Sequence, residues 1–154
     1  SRRNTCDNFI KYIERRKGDK WFNFFHYMID LKSGPCVAKR LTGCGAGKEY
    51  VAVTPTGDIF PWHQFAGGDG KFFMGNVMDG TFKRDIQKTF ENINVYSKED
   101  CGKCPAKYYC SGGCVANSYN FNHDLTKPYK LSCEMMRHRL ECSLAIYAVE
   151  ESEN

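Results

Sequence analysis

The chain has 154 residues, of which 42% are hydrophobic and 14% aromatic, and this length suits one compact domain or two small ones. Its net charge of +4 is mild, with lysine and arginine scattered among acidic residues, so a nucleic-acid-binding protein is disfavoured. The sequence contains no apolar run of membrane-spanning length and opens without a signal peptide, so we expect no membrane partner and a cytoplasmic location.

The first predicted elements are a helix, a strand and a hairpin. Apolar residues at helical spacing over residues 6–16 predict an amphipathic helix that stops at Gly18. Residues 21–31, WFNFFHYMIDL, are aromatic and partly alternating, which predicts a strand. Residues 49–62, EYVAVTPTGDIFPW, alternate on both sides of a Thr-Pro-Thr-Gly turn and therefore predict a β-hairpin.

The later elements lead to a long final helix. A glycine-rich loop precedes a short predicted strand at residues 71–77, and apolar spacing predicts a helix over residues 81–93. A cysteine-rich loop follows, and residues 131–149 predict a C-terminal helix. The predicted fold class is α+β, with small β-hairpins and long cysteine-rich loops. Because such a chain buries little apolar surface, bound metal would be a plausible structural component.

Nine cysteines are the unusual feature of the composition. Their odd number, their uneven clustering and the lack of a secretory signal argue against a disulfide scaffold. In a reducing cytosol, closely spaced cysteines more often serve as thiolate ligands, because a metal favours deprotonated sulfur. The cysteines therefore indicate a metal-binding protein.

The densest cysteine run is CGKCPAKYYCSGGC, residues 101–114. A CxxC turn suits either zinc or an iron–sulfur cluster. The spacing of the whole run is denser than a pair of zinc knuckles and closer to runs that hold 4Fe–4S clusters. In one such run the fourth cysteine serves a second cluster, so two sites could share this loop. Gly112 and Gly113 are expected to let backbone amides approach sulfur, since glycine has no side chain in the way.

These motifs resemble the SPASM domain, the auxiliary-cluster domain of radical S-adenosylmethionine (radical SAM) peptide maturases. The resemblance rests on Cys44, on Gly57 with position 62 after it, on the run at 101–114 and on Cys133. The segments GCGAGKEYVAVTPTGDIFP, HQFAGGDGKFFMGNV and CGKCPAKYYCSGGCVANSYNFNHDL are most similar to the SCIFF maturases, which form thioethers in six-cysteine peptides. The resemblance covers about residues 22–149.

The resemblance implies two 4Fe–4S clusters and assigns their ligands. One cluster would be held by Cys101, Cys104, Cys110 and Cys133, and the other by Cys36, Cys44 and Cys114. Cys6 and Cys142 match no motif position, and we interpret them as small apolar residues.

The sequence departs from the family pattern at Trp62, where a cysteine is usual. Because an indole has no lone pair for iron, the cluster of Cys36, Cys44 and Cys114 would have one iron without a protein thiolate. That iron could accept a substrate thiolate, or the site could be impaired, filled by water or by the neighbouring His63. The resemblance also makes His63 a candidate catalytic proton acceptor, with a structural role as the alternative.

The resemblance further implies that the chain is one part of a larger enzyme. Residues 1–35 would be the end of the radical SAM barrel, as a helix–strand remnant, and residues 36–154 the SPASM domain. The barrel would carry a CxxxCxxC motif, a third cluster and S-adenosylmethionine. CSGGC gives the first interval of that motif, but Asn117 stands where its last cysteine would be, so we expect no activity from this chain alone.

Two functions remain open from the sequence. The first is an auxiliary-cluster domain of an oxidoreductase-type maturase that cross-links a ribosomal, cysteine-rich precursor peptide. Its partners would be that peptide, the barrel domain and an electron donor such as flavodoxin or ferredoxin. The second is a zinc-stabilised module that binds a peptide or protein without redox chemistry.

Overall fold

The computed structural model describes residues 2–16, 18–19, 21–34 and 36–153, with only the backbone described for residues 2–6. Helices and a small antiparallel sheet form an α+β structure, as predicted. The chain divides into two compact units, Ser1–Pro35 with Lys130–Asn154, and Cys36–Tyr129. Among the helices of the described residues, none is long and apolar enough to cross a membrane.

The first unit is built from two helices and a short turn. Helix α1 is Arg2–Arg15, a 3₁₀ turn covers Phe25–Tyr27, and the last helix of the chain, α6, is Lys130–Ser152. The Ser143 hydroxyl on α6 donates a hydrogen bond to the Tyr27 carbonyl at 2.9 Å. The predicted first and last helices are therefore confirmed, and α6 packs against both α1 and the turn.

The predicted strand at residues 21–31 is wrong, because the segment is irregular around the 3₁₀ turn. Tyr27 is buried there, and its ring meets Phe9, Tyr12 and Phe24 edge to face at centroid distances of 6.4, 5.7 and 4.7 Å. Aromatic rings gain most of their stabilisation from such burial and edge contacts, whatever the backbone. The segment is therefore held by the packing of one buried ring, that of Tyr27, and not by strand pairing.

The second unit contains a four-stranded antiparallel sheet in the order β1-β2-β3-β4. Its strands are short: β1 Ala52–Val53, β2 Asp58–Phe60, β3 Gly75–Asn76 and β4 Thr81–Phe82. The predicted hairpin is confirmed as β1 and β2, with Val53 opposite Ile59. Its turn is held by the Asp58 backbone N–H, which donates to the Thr54 hydroxyl at 3.0 Å.

Four helices complete the second unit: α2 Val37–Arg40, α3 Arg84–Glu91, α4 Lys107–Cys110 and α5 Val115–Asn122. The helix predicted over residues 81–93 begins later, because Thr81 and Phe82 pair with β3 instead. The sequence analysis did not predict α4 or α5. Both lie in or directly after the cysteine-rich loop, where closely spaced glycines and cysteines hide a helical period.

An aromatic core stabilises the second unit. Its buried residues are Phe60, Phe65, Phe72, Phe90, Ile93, Val115 and Ala116. The rings of Phe65, Phe72 and Phe90 meet edge to face at 4.7–5.6 Å. Burial of each Phe side chain contributes about 1.5–3 kcal/mol to the free energy of unfolding. The sequence predicted little buried apolar surface, whereas this core has seven buried residues.

Candidate metal centre

Six of the seven predicted cysteine ligands belong to the second unit, and Cys133 lies on α6 of the first. Cys36 and Cys44 are exposed, Cys101 is buried, and Cys104, Cys110 and Cys114 are half-buried. The exposure of these cysteine side chains therefore decreases from Cys36 and Cys44 to Cys101.

The CxxC segment forms a tight turn. The Cys104 backbone N–H donates to the Cys101 carbonyl at 3.1 Å, and the Cys101 N–H donates to the Lys98 carbonyl at 3.0 Å. The Lys107 N–H then donates to the Cys104 carbonyl at 3.2 Å and begins α4. This continuous chain of turns sets the backbone positions of both thiols, as a CxxC metal turn requires.

Cys110 sits at the end of α4, before three residues with left-handed backbone. These are Ser111, Gly112 and Gly113, with φ of 58°, 80° and 73°. Burial raises the pKa of the Cys110 thiol, while hydrogen bonding from the Gly113 and Gly112 backbone N–H groups lowers it. Successive N–H groups of this kind form an anion-binding concavity that many iron–sulfur sites use. The expected approach of backbone amides to sulfur is therefore present at Cys110.

Cys104 lies close enough to Cys110 to affect its charge. After burial and the hydrogen bond from Gly113, the Cys104 thiol is the next influence on the pKa of Cys110, and it raises that pKa. The two thiols of the predicted first set are thus electrostatic neighbours.

Two further cysteines, Cys44 and Cys114, influence the phenol of Tyr50. Burial raises the pKa of the Tyr50 phenol far above its usual range, and a hydrogen bond and charge from Cys44 and charge from Cys114 add to the rise. Cys114 precedes α5, and its Sγ lies 3.8 Å from Gln64 Oε1. Two cysteines that are distant in sequence, and that were assigned to one cluster, therefore both raise the pKa of one tyrosine.

The loops that carry these two cysteines are in direct contact. A Cβ on Gly43 would lie 3.0 Å from the Ser111 carbonyl oxygen, so only glycine fits there without displacement. Cys36, the third member of the set, precedes α2, which packs against α4. The fold thus gathers the 36–44 segment against the cysteine-rich loop.

Trp62 occupies the same neighbourhood. Its ring centroid lies 5.0 Å from that of Tyr50 and 4.4 Å from that of His63, and its side chain is half-buried against the aromatic core. His63 is exposed and begins a 3₁₀ turn, His63–Phe65. The position where the family pattern has a cysteine therefore faces Tyr50, which contacts Cys44.

The chemistry of these donors, which are thiols, fits a thiophilic metal. Within the residues described, no group of three or more cysteine, histidine, aspartate or glutamate side chains is arranged to hold a metal ion. The complete sets of four and three thiolates, including Cys133, stay predictions.

Two known proteins are similar to this chain. Over 110 residues, 67% of this chain, it is 32% identical to the mycofactocin maturase MftC of Mycolicibacterium smegmatis. Over 95 residues, 57% of this chain, it is 28% identical to the antilisterial bacteriocin subtilosin biosynthesis protein AlbA of Bacillus subtilis. The chain spans 27% and 20% of the length of these curated relatives. No protein family model matches the chain. These similarities support a relationship to peptide maturases, as the sequence motifs do.

The sequence analysis did not identify three residues near the thiols: Tyr50, Gln64 and Lys98. None belongs to a metal-binding motif. The fold brings Tyr50 close to Cys44 and Gln64 close to Cys114, and it places the Lys98 charge where it affects Cys110. No local pattern in the sequence marks them, apart from their proximity to cysteine or histidine positions.

The second unit also contains a cavity of about 630 Å³ with no cysteine in its lining. Its wall includes Phe72, Ile86, Tyr119 and Leu125, with Lys71 and His123 among the polar residues. Helix α5 connects the two places, since it begins after Cys114 and carries Tyr119.

Proposed function

We propose that this chain is the auxiliary iron–sulfur domain of a radical SAM peptide maturase that forms thioether bonds in a ribosomal, cysteine-rich peptide. The main support is the close contact between the loops of Cys44 and Cys114, where Gly43 lies against Ser111, since the family pattern assigns these cysteines to one cluster. The maturase and bacteriocin biosynthesis protein that resemble the chain support the same assignment.

The proposed clusters would be held by the two cysteine sets of the family pattern. When bound, such clusters supply a one-electron acceptor and an iron that can bind a substrate thiolate. The Gly112 and Gly113 N–H groups stabilise negative charge at the Cys110 sulfur. Tyr50 and Trp62 are half-buried and in ring contact at a centroid distance of 5.0 Å, and Tyr50 lies beside Cys44.

His63 would accept a proton from the peptide substrate. Its imidazole is exposed and stacks at a tilt on Trp62, so a substrate that approaches the Trp62 position would meet it. A neutral imidazole is a competent base near neutral pH. The radical itself would come from a barrel domain, since a CxxxCxxC motif is absent from this sequence.

A zinc-stabilised binding module is the second candidate. The tight CxxC turn at Cys101 and Cys104 favours it equally, because zinc knuckles use the same turn. In that case the thiols would have a purely structural role.

Metal analysis of anaerobically purified protein tests the proposal. We expect a brown protein with about four irons and four sulfides per cluster. The Cys104→Ala variant should lose one cluster, whereas the Cys142→Ala control should keep both, since Cys142 belongs to neither set. A colourless protein with stoichiometric zinc and no labile sulfide would contradict the iron–sulfur proposal and favour the zinc module.

A further inference from the structure

Lys98 is a buried lysine that contacts both arms of the cysteine-rich loop. Only 2% of its surface is exposed, and it is among the largest fully buried side chains of the described residues. Its Nζ donates a hydrogen bond of 2.7 Å to the Gly112 carbonyl, in the arm that follows Cys110. Its own carbonyl accepts from the Cys101 and Gly102 N–H groups at 3.0 and 3.4 Å, in the CxxC arm.

A buried ammonium is costly unless hydrogen bonds and negative charge compensate it. Thiolate ligands provide such charge, since four thiolates around a metal leave the site anionic. Lys98 lies close to the Cys110 end of the loop, because the Gly112 carbonyl that its Nζ contacts comes two residues after Cys110. The aliphatic part of the side chain packs beside Gly112, whose Cβ would lie 3.5 Å from Lys98 Cδ.

We propose that Lys98 is a positioning residue whose ammonium offsets the negative charge of a thiolate-bound metal centre at Cys110 while it ties the two arms of the loop together. This inference rests on the proposed function only in requiring a metal at the cysteine-rich loop, and it applies to zinc as well as to an iron–sulfur cluster.

The charge has consequences that a hydrogen bond alone would not produce. A nearby cation stabilises the reduced form of a cluster more than the oxidised form, because reduction adds negative charge. It therefore raises the reduction potential. The same attraction stabilises the negatively charged, metal-bound site, so it slows the loss of metal to a chelator.

Three variants of the full chain separate charge from hydrogen bonding. Lys98→Met keeps most of the length without charge, Lys98→Gln keeps an N–H donor without charge, and Lys98→Arg keeps the charge. Lys107→Met is a matched control, because Lys107 Nζ also donates to a loop carbonyl, that of Gly102, at 2.9 Å. Unlike Lys98, Lys107 is only half-buried and lies over the rings of Tyr96 and Tyr108.

The measurements are circular dichroism, the midpoint potential of the reconstituted cluster and the rate of metal loss to a chelator. We expect Lys98→Met and Lys98→Gln to lower the potential by an amount equal to about a tenfold change in the reduction equilibrium, 59 mV for one electron. They should also lose metal faster, while Lys98→Arg and Lys107→Met stay close to the unchanged protein.

Other outcomes overturn the inference. Equal potentials and rates in Lys98→Met and Lys98→Arg would exclude a charge effect, and full rescue by Lys98→Gln would show that only the hydrogen bond matters. Loss of folding in both Lys98→Arg and Lys98→Met would show a purely steric role. If the protein binds zinc, the same variants are compared by zinc affinity, with weaker binding expected in Lys98→Met than in Lys98→Arg. Failure of the iron–sulfur proposal is thereby distinguished from failure of this one.

Discussion

Trp62 is the residue at which the candidate metal centre departs from the family pattern. It lies beside Tyr50, which interacts with both Cys44 and Cys114, and its ring also packs against the aromatic core. The family pattern marked position 62 as unusual, and the structure shows that its indole packs on Tyr50, whose pKa Cys44 and Cys114 both raise. Motifs predict which side chains are donors, whereas the neighbours that surround them, such as Tyr50, come from tertiary folding.

Replacement of Trp62 by cysteine tests this placement. We expect Trp62→Cys to raise the iron and sulfide content of anaerobically reconstituted protein, because a fourth thiolate joins the set of Cys36, Cys44 and Cys114. Stability should fall, since loss of a fully buried aromatic ring costs about 3–5 kcal/mol and Trp62 is half-buried, so we expect less than that.

Trp62→Ala is the control for Trp62→Cys, because it removes the ring without adding a thiol. Iron content that is equal in the cysteine and alanine variants would mean that position 62 does not face the metal centre.

At the scale of elements, local patterns predicted the parts of the fold that depend on local interactions. The hairpin follows from its turn residues, and α1 and α6 follow from apolar spacing. The strand at 21–31 was wrong because the segment packs through one buried ring, that of Tyr27 on Tyr12 of α1, and pairs with no strand of the described residues. Strand β4 was missed because it has only two residues, Thr81 and Phe82, which are too few to show an alternating pattern.

Gly75 is a position in the sheet that only glycine can fill. Its φ is +141°, and a Cβ there would lie 2.0 Å from the Thr81 carbonyl oxygen. We expect Gly75→Ala to separate β3 from β4 and to lower the free energy of unfolding by at least about 1–3 kcal/mol. Urea denaturation followed by circular dichroism measures this change.

Gly68→Ala is the matched control for the sheet variant. A Cβ at Gly68 would meet only the Phe65 carbonyl oxygen at 3.7 Å, an ordinary contact. Its unfolding free energy should stay within about 0.5 kcal/mol of the unchanged protein. Equal stability of the two variants would contradict the tight packing of β3 against β4.

At the scale of the whole molecule, the aromatic core and the cysteine-rich loop contribute to stability in different ways. The core of the second unit needs no metal, because Phe65, Phe72 and Phe90 bury one another. The loop is held by turns, by Lys98 and by whatever the thiols bind. The two compact units place α6 with the N-terminal residues, and the predicted division at 35/36 into barrel and SPASM domains stays a prediction.

Metal removal should therefore loosen one region without unfolding the chain. A ligand at one hundred times its Kd stabilises by about 2.7 kcal/mol. For a chain of this size, loss of that energy should lower Tm by roughly 5–10 °C. Far-ultraviolet circular dichroism should keep most of its helical signal, and hydrogen exchange should increase mainly over residues 101–114. Unfolding of the whole chain by a chelator would show that the aromatic core is insufficient.

Helix α5 links the cavity of the second unit to Cys114, because it begins after Cys114 and carries Tyr119 of the cavity wall. The helix is eight residues long, and Tyr119 lies about 7–8 Å along its axis from Cys114. Because a helix this short is expected to move as one body, we expect a molecule that displaces the Tyr119 ring to shift Cys114 as well. Binding in the cavity at Tyr119 should therefore change the orientation of the Cys114 side chain at the start of α5.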